Sequence, residues 1–179
     1  MRPMQISYKR IYTLISFAVL LGITVVLLGG CKPNKDQFSG ANAYQHIEEL
    51  VNFGPRIPGT QGIENARKYI EKKLQEFGWI TVRQSFNDKT PYGSKKFINL
   101  RARFPTVPDK DIEWKNGGNI ILVCSHYDTK IVKGVEFIGA NDGGSSTGVL
   151  VELARVFSSM PELARKVELV FFDGEEAFV

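Results

Sequence analysis

The chain has 179 residues, and its 23 Lys and Arg exceed its 19 Asp and Glu to give a formal charge of +4. Three of those bases, Arg2, Lys9 and Arg10, lie at the very start; taking three from 23 leaves 20 bases against 19 acids, so residues 31–179 are almost neutral. The basic balance therefore marks a leader, and it gives no reason to expect a nucleic-acid partner.

After Arg10 comes an uncharged run, 11–28, that closes in Leu28-Gly29-Gly30-Cys31. Its length is close to what a bilayer core requires, so an uncleaved membrane helix is one reading. The small residues before Cys31 and the abrupt polar switch at 32–37 favour an export signal that is removed. The pattern resembles the bacterial lipobox, which implies acylation of Cys31 and anchoring to a membrane on the extracytoplasmic side. The expected organisation is a lipoprotein signal peptide at 1–30, a polar tether at 31–42 and a folded domain at 43–179. With Cys31 acylated, Cys124 is the single remaining thiol, which rules out an internal disulfide framework. Its apolar surroundings predict a buried small hydrophobe.

Ile47, Leu50 and Val51 recur at helical spacing in 43–52, and Phe53-Gly54-Pro55-Arg56-Ile57-Pro58-Gly59 then breaks the helix. A second helix is predicted over 63–77, with Ile63, Ala66, Ile70, Leu74 and Phe77 on one face, charged residues including Arg67 on the others, and Gly78 as the stop. Strands follow at 79–86 and 97–104, joined through a segment rich in turn formers. The apolar run at 119–124 suits a strand buried on both faces. A third helix at 146–160, with Val149, Leu150, Leu153, Val156 and Phe157 inward, leads to a second buried strand at 167–172. That strand, helix, strand order predicts a parallel pair with a crossover helix.

Both buried strands run straight into polar side chains: Ser125-His126-Tyr127-Asp128 after the first, Asp173-Gly174-Glu175-Glu176 after the second. Ligands of parallel α/β sheets bind beyond the carboxyl ends of the strands, and Gly139-Ala140-Asn141-Asp142 at the mouth of the third helix can join the same edge. Imidazole and carboxylate donors suit a borderline cation such as zinc. Two adjacent glutamates repel unless a cation or a shared proton relieves them. Taken singly, Asp142 as a helix cap and Glu175-Glu176 as an acidic first turn are equally good explanations. Their joint occurrence favours the metal site.

The blocks Asn52 to Gly59, Thr90-Pro91-Tyr92-Gly93, His126-Tyr127-Asp128-Thr129-Lys130, Gly139 to Asp142, and Phe171-Phe172-Asp173-Gly174-Glu175-Glu176-Ala177-Phe178 together resemble the glutaminyl-peptide cyclotransferases. These belong to a wider superfamily of zinc aminopeptidases that shares the His-x-Asp, the Asp before a helix and the Glu-Glu pair. The resemblance implies an α/β fold with a central mixed, largely parallel sheet flanked by helices. It implies Zn2+ as cofactor, with Asp142 and Glu176 as ligands and Glu175 as catalytic acid/base. His126 would be a ligand only if the site held two metals, and Asp128 would orient His126. The implied substrate is a peptide or protein N-terminus. The amine of an N-terminal glutamine attacks its own γ-carboxamide, polarised by the metal as a Lewis acid, leaving pyroglutamate and ammonia. An aminopeptidase would use Glu175 to activate water instead.

The family pattern also implies a histidine ligand and an aspartate well downstream of the Glu-Glu pair. Here three residues follow Glu176, and neither His46 nor His126 matches that ligand; His46 reads as a partly exposed helix residue. The expectation is a C-terminally truncated domain, with an inactive lipoprotein as the rival.

Overall fold

The computed structural model describes residues 36–105 and 119–176. The expected signal peptide, Cys31, most of the loop before residue 119, and Ala177 and Phe178 of the last motif block lie outside the described residues.

The first helix, α1 (Gly40–Asn52), begins where the Ser39 hydroxyl accepts the Asn42 N–H at 3.2 Å, satisfying one donor of the opening turn. It buries Ala43, His46 and Leu50. The second, α2 (Gln61–Glu76), buries Ile63, Ala66, Arg67, Ile70 and Leu74. Arg67 thus lies on the buried face and not among the outer charges, for reasons given below.

Strands β1 (Ile80–Thr90) and β2 (Gly93–Arg103) form one long antiparallel hairpin, paired from Ile80↔Arg103 to Thr90↔Gly93. The expected loop across 87–96 is therefore strand, with only Pro91 and Tyr92 left at the tip. Ladder pairing of Asn87↔Lys96, Asp88↔Lys95 and Lys89↔Ser94 overrides the local turn-forming tendency of these residues.

Strand β3 (Ile121–His126) is followed by a wide turn, Ala140–Ser145, helix α3 (Ser146–Ser158), the single-turn α4 (Pro161–Ala164) and strand β4 (Val167–Phe172). The sheet order is β1-β2-β4-β3. β3 and β4 are parallel, in register from Ile121↔Val167 to His126↔Phe172, as the crossover through α3 requires. β2 and β4 are antiparallel, from Leu100↔Phe171 to Arg103↔Glu168.

The sheet is therefore mixed and mostly antiparallel, which overturns the expectation of a largely parallel one. A two-residue hairpin can join only antiparallel neighbours, and β2 then sets β4 antiparallel to itself; the single long crossover yields the single parallel pair.

Two burial expectations also change. β4 is central and buried along nearly its whole length, but β3 has β4 as its one described neighbour, and Ile121 and Leu122 are 59% and 60% exposed. Cys124 on the same strand is exposed too, not a buried hydrophobe. A continuous apolar run records which residues tolerate burial, not which faces acquire cover. On α3, Val149 is exposed while Leu150, Val151, Ala154 and Val156 are buried. The helix turns so that Glu152 faces inward, where it accepts the Ser39 N–H at 2.8 Å and pairs with Arg155 at 2.7 Å.

Leu50, Ile70, Leu74, Leu100, Leu169 and Phe171 are wholly inaccessible at the centre of one core between the helices and the sheet. Each such aliphatic side chain contributes about 1.5–3 kcal/mol by leaving water. Trp79 closes one end, its indole N–H donating to the Ala154 carbonyl at 3.0 Å. This core fixes β3 and β4 side by side, and with them the two chain segments that leave their carboxyl ends.

Candidate metal centre

His126 is the last residue of β3 and pairs in register with Phe172, the last of β4. The Tyr127 N–H donates to the Phe172 carbonyl at 3.0 Å, so the ladder extends one step past the strands before the chains diverge. Asp128 and the segment 173–176 are thereby delivered to the same edge. The third segment is the wide turn ahead of α3, closed by the Gly144 N–H on the Gly139 carbonyl at 3.1 Å. Within it Asp142 is extended (φ −81, ψ 116), flanked by left-handed Gly139 (φ 61) and Gly143 (φ 71), a path that a chain without glycine rarely follows.

These segments bring together three of the predicted residues. One donor atom from each of His126, Asp142 and Glu176 lies within 4.8 Å of the others. His126 Nε2 is 3.2 Å from Asp142 Oδ1, close to the spacing of about 3.3 Å between donors that share a tetrahedral zinc. His126 Nδ1 faces Asp128 Oδ1 at 3.4 Å and Glu175 Oε2 at 3.8 Å. Asp128 Oδ2 accepts the Glu176 backbone N–H at 3.2 Å.

The electrostatics fit a cation. Glu176 Oε1 is buried and has no hydrogen-bond partner, an arrangement that is costly unless something else satisfies it. Burial and then the nearby charges of Asp142 and Asp128 hold the Glu176 carboxyl above its ordinary value. Burial also raises Asp128, opposed by the Glu176 N–H and by His126. A divalent ion held among these groups would remove the repulsion and satisfy the orphaned oxygen. Asp142 and Glu175 are about half exposed, at 53% and 58%, so one side of the cluster is open to an incoming molecule.

Beneath it lies a buried network that the sequence reading missed. Arg67 donates through Nε to the Tyr127 hydroxyl at 2.8 Å and pairs through Nη2 with Asp173 Oδ2 at 3.2 Å; it also pairs with Glu64. Tyr127 donates to the Ile98 carbonyl at 2.6 Å, and the Ile98 N–H donates to Asp173 Oδ2 at 2.8 Å. α2, β2 and the acidic segment are thus tied together. The signal was available in the spacing, since Arg67 sits four residues after Ile63 and three before Ile70, on the apolar stripe. Next to this network the Phe97 ring packs against Gly174, in the space a Cβ there would occupy. His46 is buried rather than partly exposed, its Nδ1 2.6 Å from the Tyr69 hydroxyl, and it is not one of the clustered donors.

Residues 110–179 match the model of Peptidase family M28. Among individual proteins, the chain is 33% identical over 146 residues to a glutaminyl-peptide cyclotransferase of Dictyostelium discoideum, covering 75% of this chain and 40% of that one. It is 30% identical over 139 residues to that of Bos taurus, covering 69% and 36%. The crystal structure of Porphyromonas gingivalis glutaminyl cyclase superposes with a TM-score of 0.69 at 31% identity, over 79% of this chain and 50% of that one. A Zn-dependent exopeptidase from Parabacteroides distasonis gives 0.66 at 25%, over 80% and 49%. The chain is homologous to the glutaminyl-peptide cyclotransferases on an M28-like fold, and it spans about two fifths of the length of these relatives.

Proposed function

We propose that this chain provides the zinc-site frame of a glutaminyl-peptide cyclotransferase, which converts N-terminal glutamine of peptides to pyroglutamate with release of ammonia. The observation that carries the reading is the meeting of His126, Asp142 and Glu176 at one sheet edge with the exposed Glu175 beside them. Asp142 and Glu176 would hold Zn2+, which supplies Lewis-acid polarisation of the γ-carboxamide oxygen. Glu175 takes a proton from the attacking α-amine and returns one to the departing ammonia. The nucleophile belongs to the substrate, so no enzyme nucleophile is required. Asp128, fully buried, holds the His126 ring through Oδ1 and the Glu176 main chain through Oδ2. The test is zinc binding by equilibrium dialysis together with ammonia release from a Gln-initiated peptide. Zinc retention without ammonia, but with free leucine from a Leu-initiated peptide, would reassign the site.

That second reading, a zinc aminopeptidase, is favoured by one specific distance. His126 Nε2 lies 3.2 Å from Asp142, so the imidazole stands in the donor cluster, where a second metal sharing Asp142 would need it. Stoichiometry separates the two, one zinc per chain for the cyclase and two for the peptidase.

The sequence supports a cell-envelope setting, with residues 1–30 as the export signal and Cys31 as the acylated residue that anchors the protein to a membrane. Mass spectrometry of the protein from a membrane fraction tests this, and an unmodified Cys31 preceded by residues 1–30 would refute it.

A further inference from the structure

The proposed metal site draws on two segments that no regular element joins directly, the one leaving β3 at His126 and the wide turn carrying Asp142. Between them sits Arg56, from the Pro-Arg-Ile-Pro segment after α1. Its side chain is completely inaccessible, yet no carboxylate forms an ion pair with it among the described residues.

All of its described hydrogen bonds run to main-chain carbonyls or to Thr129. Nε donates to the Tyr127 carbonyl at 2.8 Å, Nη1 to those of Ile138 at 2.8 Å and Leu50 at 3.4 Å, and Nη2 to that of Gly139 at 2.8 Å. Its own main chain pairs with Thr129 in both directions: the Arg56 N–H donates to Thr129 Oγ1 at 2.8 Å, and the Arg56 carbonyl accepts the Thr129 N–H at 3.1 Å. One planar cation therefore grips the peptide between His126 and Asp128 with one edge and the entry to the Asp142 turn with the other.

A buried charge is costly to desolvate, and a carbonyl cage compensates it less completely than a carboxylate would. Structural cross-linking alone could be met by neutral donors. The guanidinium adds a rigid fork of donors of fixed geometry, which a lysine cannot reproduce. Burial pulls the guanidinium below its ordinary value, and the nearby charges of Asp128 and Asp142 partly offset that effect without either residue touching it.

We propose that Arg56 is the positioning residue that fixes the Asp142 turn against the segment leaving β3 and thereby places Asp142 for metal binding. This rests on the metal-site reading above. The packing around the fork is close: a Cβ on Gly139 would stand 2.7 Å from Thr129 Cγ2 and 3.2 Å from Arg56 Nη2, so a side chain at 139 would press on the clamp.

The test uses the full chain with Arg56→Lys and Arg56→Met, read in three ways: zinc affinity by chelator competition, the visible spectrum of the Co2+-substituted protein, and amide exchange of Thr129 and Gly144 without metal. The expected result is a roughly 10–100-fold loss of zinc affinity, a changed cobalt spectrum and faster exchange at both amides, with Arg56→Lys milder than Arg56→Met. Folded variants with wild-type affinity, spectrum and exchange would overturn the proposal. If the unsubstituted chain binds neither metal, the metal-site reading fails by itself, and paired acceleration of the two amides still decides whether Arg56 couples the segments. If neither Arg56 variant folds, Gly139→Ala decides, because it displaces the gripped carbonyl and keeps the arginine. An unchanged cobalt spectrum and unchanged Thr129 exchange in that variant would overturn the coupling.

Discussion

Asp128 accepts the backbone N–H of Glu176 at 3.2 Å, across the two segments that leave β3 and β4. The same carboxylate faces His126 Nδ1 at 3.4 Å with its other oxygen, so one buried group orients both an imidazole and a glutamate. Asp128→Ala should lower zinc affinity roughly 10–100-fold, and Asp128→Asn should lose less because its amide oxygen can still accept one of the two bonds. Competition with a chromogenic chelator measures this, and equal affinity in all three proteins would remove Asp128 from the site.

Glu175 and Glu176 are neighbours with different surroundings: Glu175 is 58% exposed, whereas Glu176 keeps a buried oxygen without a partner. Glu176→Gln should abolish stoichiometric zinc. Glu175→Gln should keep it and lose about 10²–10⁴-fold in turnover, the usual scale of a proton-transfer group. Metal analysis and ammonia release on the same samples check both, and a fully active Glu175→Gln protein contradicts the assignment.

Asp173 gives a pH prediction. Burial pushes its carboxyl up to about 6 from 3.8, against the opposing effects of the Ile98 N–H and Arg67. A carboxyl whose folded value lies above its unfolded one keeps its proton longer in the native state, so stability falls as pH rises through that window. Two units correspond to ~3 kcal/mol. Urea unfolding between about pH 4 and 6 should show wild type losing that much relative to Asp173→Asn, and parallel profiles would reject the shift.

Leu100 lies at the centre of the core, at the point where β2 begins to pair with β4. Leu100→Ala should destabilise by about 2–5 kcal/mol. Because β4 leads into the acidic segment, zinc affinity should fall only as the folded fraction falls, a relation that denaturant titration with and without metal can establish.

The helices and β4 were legible because their apolar residues recur at the right period, and His126, Asp142 and Glu176 because they follow strands or precede a helix. The parallel pairing of β3 with β4 was legible from the crossover helix, but the direction of β2 against β4 was not. Thr90-Pro91-Tyr92-Gly93 reads as part of a long loop until the ladder from Asn87↔Lys96 inward is known, and that ladder makes the sheet mostly antiparallel. The exposure of Ile121, Leu122 and Cys124 was hidden because an apolar run does not reveal whether its strand stands at an edge. Arg56 and Arg67 were overlooked for a related reason. A cation is ordinarily assigned to the surface, and only the convergence of distant carbonyls, or of Tyr127 and Asp173, makes its burial tolerable.

The contact between Phe97 and Gly174 ties the identities of two positions together. An added methyl at 174 overlaps the ring, and the left-handed backbone there (φ 79) disfavours a side chain in any case. Substitution at 174 is therefore closed while the aromatic remains, and Phe97→Leu reopens only the steric half of the restriction. Gly174→Ala should be rescued in part, never wholly, by Phe97→Leu, an epistasis that stability measurements on the two single variants and the pair would reveal.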